Sequence, residues 1–216
     1  MASASTARPD SLARRERAAL CDLALDVGPD APTLCDDWNV RDLVCHLIVR
    51  ERRPWAVPGI MISALSGVTA REMAKLARHP FPSLVTRLRN PSGTPFALGR
   101  VDRAANTTEF FVHHEDIRRA RHAWEPRALD EDDADELWRQ LSRTGRLLAR
   151  PAGVPVTVVD DYGRRAVLRS GERPVVITGP VSELLLFLSG RRQLGELAFD
   201  GPQHRIAALR QARLGS

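Results

Sequence analysis

Glu109 and His113 stand four residues apart in Glu109-Phe110-Phe111-Val112-His113. On a helix that spacing projects both side chains from one face about one turn apart, near enough to share one ion. Phe110, Phe111, Val112 and Ile117 surround them, and a carboxylate facing a core is costly unless it is paired or ligated. A hydrogen-bonded Glu–His pair on a solvated helix face satisfies the same spacing, so the pair alone leaves both readings open. His46 is the candidate third donor. It lies among Leu43, Val44, Leu47 and Ile48, which directs it inward, although a core histidine donating to a backbone carbonyl would look the same. Two histidines and one glutamate leave a fourth position free for water or substrate, the pattern of a catalytic rather than a structural zinc site. The set also suits other divalent ions, since geometry and supply decide among them.

The remaining candidates are weaker. Asp116 follows His113 by three residues and could accept the second ring N–H of a ligating histidine. It could equally pair with Arg118 or Arg119. His114 is turned by about 100° from His113 and should not reach the same ion. His79 and His122 read as surface residues, and His204 has no visible acid partner. Cys45 should point to a different face from His46 and fill a small apolar space. Cys35 lies near the second helix and is the one residue that could supply a fourth protein ligand.

Helices must hold these residues. A first helix is expected from about Ser11 to Val27, with Leu12, Ala18, Leu20, Leu23, Leu25 and Val27 as its apolar positions. Asn39 is a good N-cap for a second helix, and Asp42 can close a capping-box-like pair, which places His46 about two turns in. Leu43, His46, Leu47 and Arg50 then share one side. Further helices are expected over Ser66 to about Arg78, Ser83 to Arg89, Val101 to Arg121, and from Asp130 to about Arg150, the last with Leu137, Trp138, Leu141, Leu147 and Leu148 as its apolar set. The texture changes at Pro151. Val154–Val159, Arg165–Arg169 and Pro174–Thr178 are short β-branched runs divided by Asp-Tyr-Gly and Ser-Gly-Glu turn signals. A compact apolar helix follows over Val181–Leu188, capped by Gly190, and an amphipathic piece over Gln203–Arg213 closes the chain. Helices first and strands later argue for two units, residues 1–150 and 151–216.

Composition narrows the classes. The 216 residues are 43% hydrophobic and 27% charged, ordinary for a globular protein, with a net charge of +5. A pI near 10.0 invites a nucleic-acid partner. Against it, the cations are almost all Arg, with Lys75 the only lysine, and acidic residues are interleaved, as in Glu131-Asp132-Asp133-Ala134-Asp135-Glu136. A single Tyr leaves little to stack on bases. The expectation is no nucleic-acid partner. The most apolar stretch, Trp55 to Ala70, is broken by Pro58 and Gly59, and the N-terminus carries no apolar signal core. Three cysteines without a CxxC pair suit free thiols in a reducing cytoplasm.

Two segments together resemble a family. Trp38-Asn39-Val40-Arg41-Asp42-Leu43-Val44-Cys45-His46-Leu47 is similar to the W-x-V-R-D-L-x-x-H-L signature of mycothiol-dependent maleylpyruvate isomerase-like proteins, members of the DinB-like metal-binding bundles. Glu109 through Asp116, as E-x-x-x-H-x-x-D, resembles the family's second metal motif. Thr178 through Arg191 is similar to the T-G-x-x-x-E-L-L-L-x-L-x-G-R stretch of the domain that follows these bundles. The resemblance implies an α+β fold, a DinB-like four-helix bundle followed by a small α/β, sterol-carrier-like domain. It implies His46, Glu109 and His113 as zinc ligands, with Asp116 as the recurrent acid after the last histidine. It also implies mycothiol as a thiol cosubstrate, made nucleophilic by the metal and acting on an electrophilic small molecule by isomerisation or S-transfer. Arg191 is the candidate cation from the C-terminal domain for an anionic substrate. Its bland counterpart is a surface arginine after a C-capping glycine. The rival functions are a non-catalytic metal-binding bundle, as in a sensor or store, and a carrier of small apolar ligands.

Overall fold

The structure is a computed structural model and describes residues 10–35, 37–52 and 66–215. Apart from Asp10 the polar N-terminal tail lies outside them, as does most of the Trp55–Ala70 stretch. The chain forms two compact units, Met1–Arg118 and Arg119–Ser216.

The first unit is helical. α1 spans Leu12–Val27, α2 Val40–Arg52, α3 Ser66–Ala77, α4 Phe81–Arg89 and α5 Gly99–Arg119. α1 starts where expected because the Ser11 side chain accepts from the Arg14 N–H. α2 starts with the anticipated capping box: Asn39 Oδ1 accepts the Asp42 N–H at 3.0 Å and Asp42 Oδ2 accepts the Asn39 N–H at 3.3 Å. α4 begins two residues earlier than the sequence indicated, since Pro82 fits the first helical turn, where its missing N–H costs nothing. The core joins Leu20, Cys21 and Ala24 of α1 to Leu43, Val44, Leu47 and Ile48 of α2, Leu84, Val85 and Leu88 of α4, and Phe110 and Ile117 of α5. Leu25, expected in the apolar set of α1, is 48% exposed, while Glu16 and Arg17 are buried. Polar partners reaching in from other helices reverse the simple apolar pattern there.

The second unit contains α6 (Glu131–Leu148), β1 (Val156–Val159), β2 (Arg165–Arg169), β3 (Val175–Thr178), α7 (Val181–Leu188), β4 (Ala198–Asp200) and α8 (Gln203–Gln211). Its sheet runs β2-β1-β3-β4, with β1 and β3 parallel and both edges antiparallel. The Asp-Tyr-Gly signal makes the β1–β2 turn, where Asp160 Oδ1 accepts the N–H groups of Tyr162 and Arg164. β4 was not anticipated; three residues are too few to show an alternating pattern.

The sequence placed the division near residue 150 and so assigned α6 to the bundle. In the structure α6 falls with the sheet. It buries Leu137 and Leu141, and a Cβ on Gly145 would stand 2.8 Å from Leu168 of β2, so only glycine permits that approach. Leu147, expected in the apolar set, is 61% exposed; six positions after Leu141 is about 240° round the helix, off the buried stripe. The α+β architecture, a DinB-like helical part followed by a small mixed sheet with helices, holds. Among the described residues no helix is long and apolar enough to cross a membrane.

Candidate metal centre

α5 is buried on every side from Phe110 to Ile117, so each polar group in that stretch needs a partner. His114 turns away from His113, as its position requires, and its Nδ1 lies 2.7 Å from Glu16 of α1. Glu115 accepts from Arg118 at 2.7 and 2.9 Å. His113 and Asp116 face the other way, toward α2 and the loop before it.

There the three anticipated donors meet. His113 Nε2 stands 3.3 Å from Glu109 Oε1, and His46 Nε2 stands 3.6 Å from the same oxygen. The two imidazole rings lie edge to face with centroids 5.5 Å apart. His46 and His113 are buried, at 6% and 9% exposure. Donors each 2.0–2.1 Å from a tetrahedral zinc ion lie about 3.3 Å from one another, so this spacing suits one shared ion. His46, Glu109 and His113 each offer one ligand atom within a 4.8 Å sphere of mutual distances. The bland reading of a Glu–His pair on a solvated face does not describe this arrangement, since a second helix adds His46 to it.

The other ring nitrogens complete the geometry. His113 Nδ1 is 2.9 Å from Asp116 Oδ2, and Asp116 is fully buried. Of the roles open to Asp116, contact with the His113 ring is present in the structure. A carboxylate accepting from Nδ1 leaves the Nε2 lone pair free for a metal. His46 Nδ1 is buried and finds no hydrogen-bond partner among the described residues, and Trp38 covers the ring with centroids 4.9 Å apart. Cys35, His113 and Asp116 form a second donor group. Its Nδ1–Oδ2 contact of 2.9 Å and its Sγ–Oδ2 contact of 3.0 Å are hydrogen bonds in length, shorter than a tetrahedral edge.

Charge is arranged around the same point. Burial works against ionisation of Glu109, but hydrogen bonds from His113 and His46 and the charge of Arg50 outweigh it and hold the carboxyl well below the usual range. Burial lowers His46, with Glu109 offsetting part of that. In His113 burial is overcome by Asp116, Cys35 and Glu109, and the ring is held well above the ordinary histidine value. A metal ion would therefore compete with a proton for His113.

Sequence reasoning put Arg50 on the side of His46 but missed its contact with Glu109 and the network behind it. Arg50 places Nε 3.4 Å from Glu109 Oε1 and donates to Asn106 Oδ1 and the Ala105 carbonyl. Asn106 Nδ2 donates at 2.8 Å to both Glu51 and Asp102, and Arg17 pairs with Glu51 at 2.6 Å and Asp102 at 2.8 Å. The Arg50 contact could have been found from its place four residues after His46. Arg17 gave no signal, because its partners come from distant helices.

Arg191, the anticipated cation of the second unit, follows α7. Its N–H bonds Leu186 O while that of Gly190 bonds Phe187 O. With Gly190 at φ +85°, the pattern is a Schellman cap. The Arg191 guanidinium donates to Ser189 O at 2.6 Å. The buried partner in that motif is Glu183, which takes both guanidinium nitrogens of Arg119, at 2.6 and 2.8 Å, and the Gly195 N–H.

A helical unit carrying a buried two-histidine, one-carboxylate cluster, followed by a small mixed-sheet unit, defines the class of protein. The sequence profile of the mycothiol maleylpyruvate isomerase N-terminal domain matches residues 11–118, and the chain belongs to that family. Its fold is similar to the crystal structure of the mycothiol-dependent maleylpyruvate isomerase, at 15% identity over 87% of this chain and 90% of that one, with a TM-score of 0.59. A histidine-to-alanine mutant of that isomerase matches at 14% identity with the same coverage and TM-score. No curated protein matches the chain by sequence.

Proposed function

We propose that the chain is a metal- and thiol-dependent enzyme, an isomerase or S-transferase in which His46, Glu109 and His113 hold one divalent ion, zinc in the first instance, and mycothiol is the thiol cosubstrate. The observation that carries this reading is the convergence of His46 Nε2, His113 Nε2 and Glu109 Oε1 at distances suited to a tetrahedral ion. Family membership supports the thiol and the reaction class. When bound, the ion would lower the pKa of a coordinated thiol so that it is nucleophilic at neutral pH.

The protein's own residues do the rest. Asp116 holds the His113 ring by accepting at Nδ1, and Arg50, with Nε 3.4 Å from Glu109 Oε1, adds positive charge beside that carboxylate. Trp38 and the surrounding apolar side chains cover His46 and exclude water from its ring.

Elemental analysis of purified wild type and His113→Ala tests the proposal. About one equivalent of zinc in wild type and little in the variant is the expected result. Unchanged metal content in His113→Ala and in His46→Ala would remove the assignment, and zinc binding without thiol transfer or isomerisation would favour a non-catalytic metal protein.

A further inference from the structure

The loop before α2 is fastened to α5 at the candidate metal centre. The Leu34 N–H donates to the Asp116 carbonyl at 3.1 Å. Thr33 Oγ1 accepts the Cys35 N–H at 3.1 Å and donates to the Trp38 carbonyl at 2.8 Å, while the Trp38 N–H donates to the Cys35 carbonyl at 2.8 Å. These bonds bring two side chains of one loop to the two histidines. Trp38 lies against His46, and the Cys35 thiol donates to Asp116 Oδ2 at 3.0 Å with Sγ 3.6 Å from His113 Nδ1. Asp116 Oδ2 thus receives both the thiol and the imidazole, and a carboxylate fixed by two donors has less freedom to rotate than one fixed by a single donor.

We propose that Cys35 is a positioning residue for the metal centre: its thiol hydrogen bond fixes the Asp116 carboxylate, which in turn holds His113 with Nε2 directed at the ion. The inference rests on the zinc reading of His46, Glu109 and His113. Cys35 acts as a hydrogen-bond donor rather than as a ligand, because its contact with Asp116 is shorter than the separation of two donors on one ion. Cys21 and Cys45 have no such place, being buried in the helical core.

The test compares the zinc affinity of wild type, Cys35→Ala and Cys35→Ser by competition with a chelator, and records the absorption of each after cobalt(II) substitution. Partners behind a metal ligand affect affinity by roughly 10–100-fold. Cys35→Ala is expected to weaken zinc about tenfold, and Cys35→Ser, whose hydroxyl still donates, to recover most of it. Cobalt(II)-substituted wild type should show no thiolate-to-cobalt charge-transfer band. Wild-type affinity in Cys35→Ala, or no recovery in Cys35→Ser, overturns the proposal while leaving the zinc site in place. A charge-transfer band lost in Cys35→Ser overturns it in favour of direct ligation. Absence of zinc from wild type removes the metal reading itself and this inference with it.

Discussion

Replacing Arg17 by Met tests whether the charge network behind the candidate metal centre is a packed unit. Arg17 is 3% exposed, Glu51 5% and Asp102 0%. Burial works against the guanidinium's charge, and Glu51 and Asp102 outweigh it. Met keeps an unbranched stem where the Arg17 guanidinium now lies 4.1 Å from the centroid of the Phe110 ring. It leaves two buried carboxylates with the Asn106 amide between them. Breaking a buried ion pair from one side costs about 3–5 kcal/mol. At an m-value near 2 kcal/mol/M the urea midpoint of the metal-free protein should fall by about 2 M. The deficit should narrow as pH falls, because protonation neutralises the stranded carboxylates. Adding Glu51→Gln and Asp102→Asn should restore most of the loss. Urea unfolding followed by circular dichroism at pH 7 and pH 5 measures all three effects. A loss below about 1 kcal/mol, or a deficit unchanged in the triple variant, would refute the argument that uncompensated charge is the cause.

Other outcomes follow from burial and charge. An alkylating reagent on the folded protein should label Cys35, which is half-buried, and spare Cys21 and Cys45, whose thiols burial pushes up to about 12 and about 11; peptide mapping showing early Cys21 labelling would contradict the packing. The raised Cys21 value also makes the fold sensitive to alkali. The folded state keeps a proton that the unfolded chain releases above about pH 9, so this contribution is present below that pH. It is lost at about 1.4 kcal/mol per unit as pH rises toward 12, and Cys21→Ala should flatten the slope. In the second unit, Glu183→Gln leaves the Arg119 guanidinium buried with an amide in place of its carboxylate and should lower stability by about 3 kcal/mol in thermal or urea unfolding; a loss within experimental error would mean the pair contributes nothing net.

The sequence by itself determined where several helices start and which residues were candidate donors. Ser11, Asn39 and Asp130 cap the helices they precede because a short polar side chain at that place satisfies an N–H the helix leaves open. The i, i+4 spacing put Glu109 and His113 on one face, and the i+3 spacing put Asp116 beside His113, because helix geometry is local. His46 was a candidate only through its apolar neighbours and the motif around it. Tertiary structure decided what local spacing does not contain. It brought α2 against α5 so that His46 meets the Glu109–His113 pair, placed Cys35 on Asp116, and set Arg50 and Arg17 behind the site. It also moved α6 into the second unit, where Gly145 lets it lie close to Leu168. Each of these depends on contacts between residues far apart in the chain, whose partners no periodicity along one helix can specify.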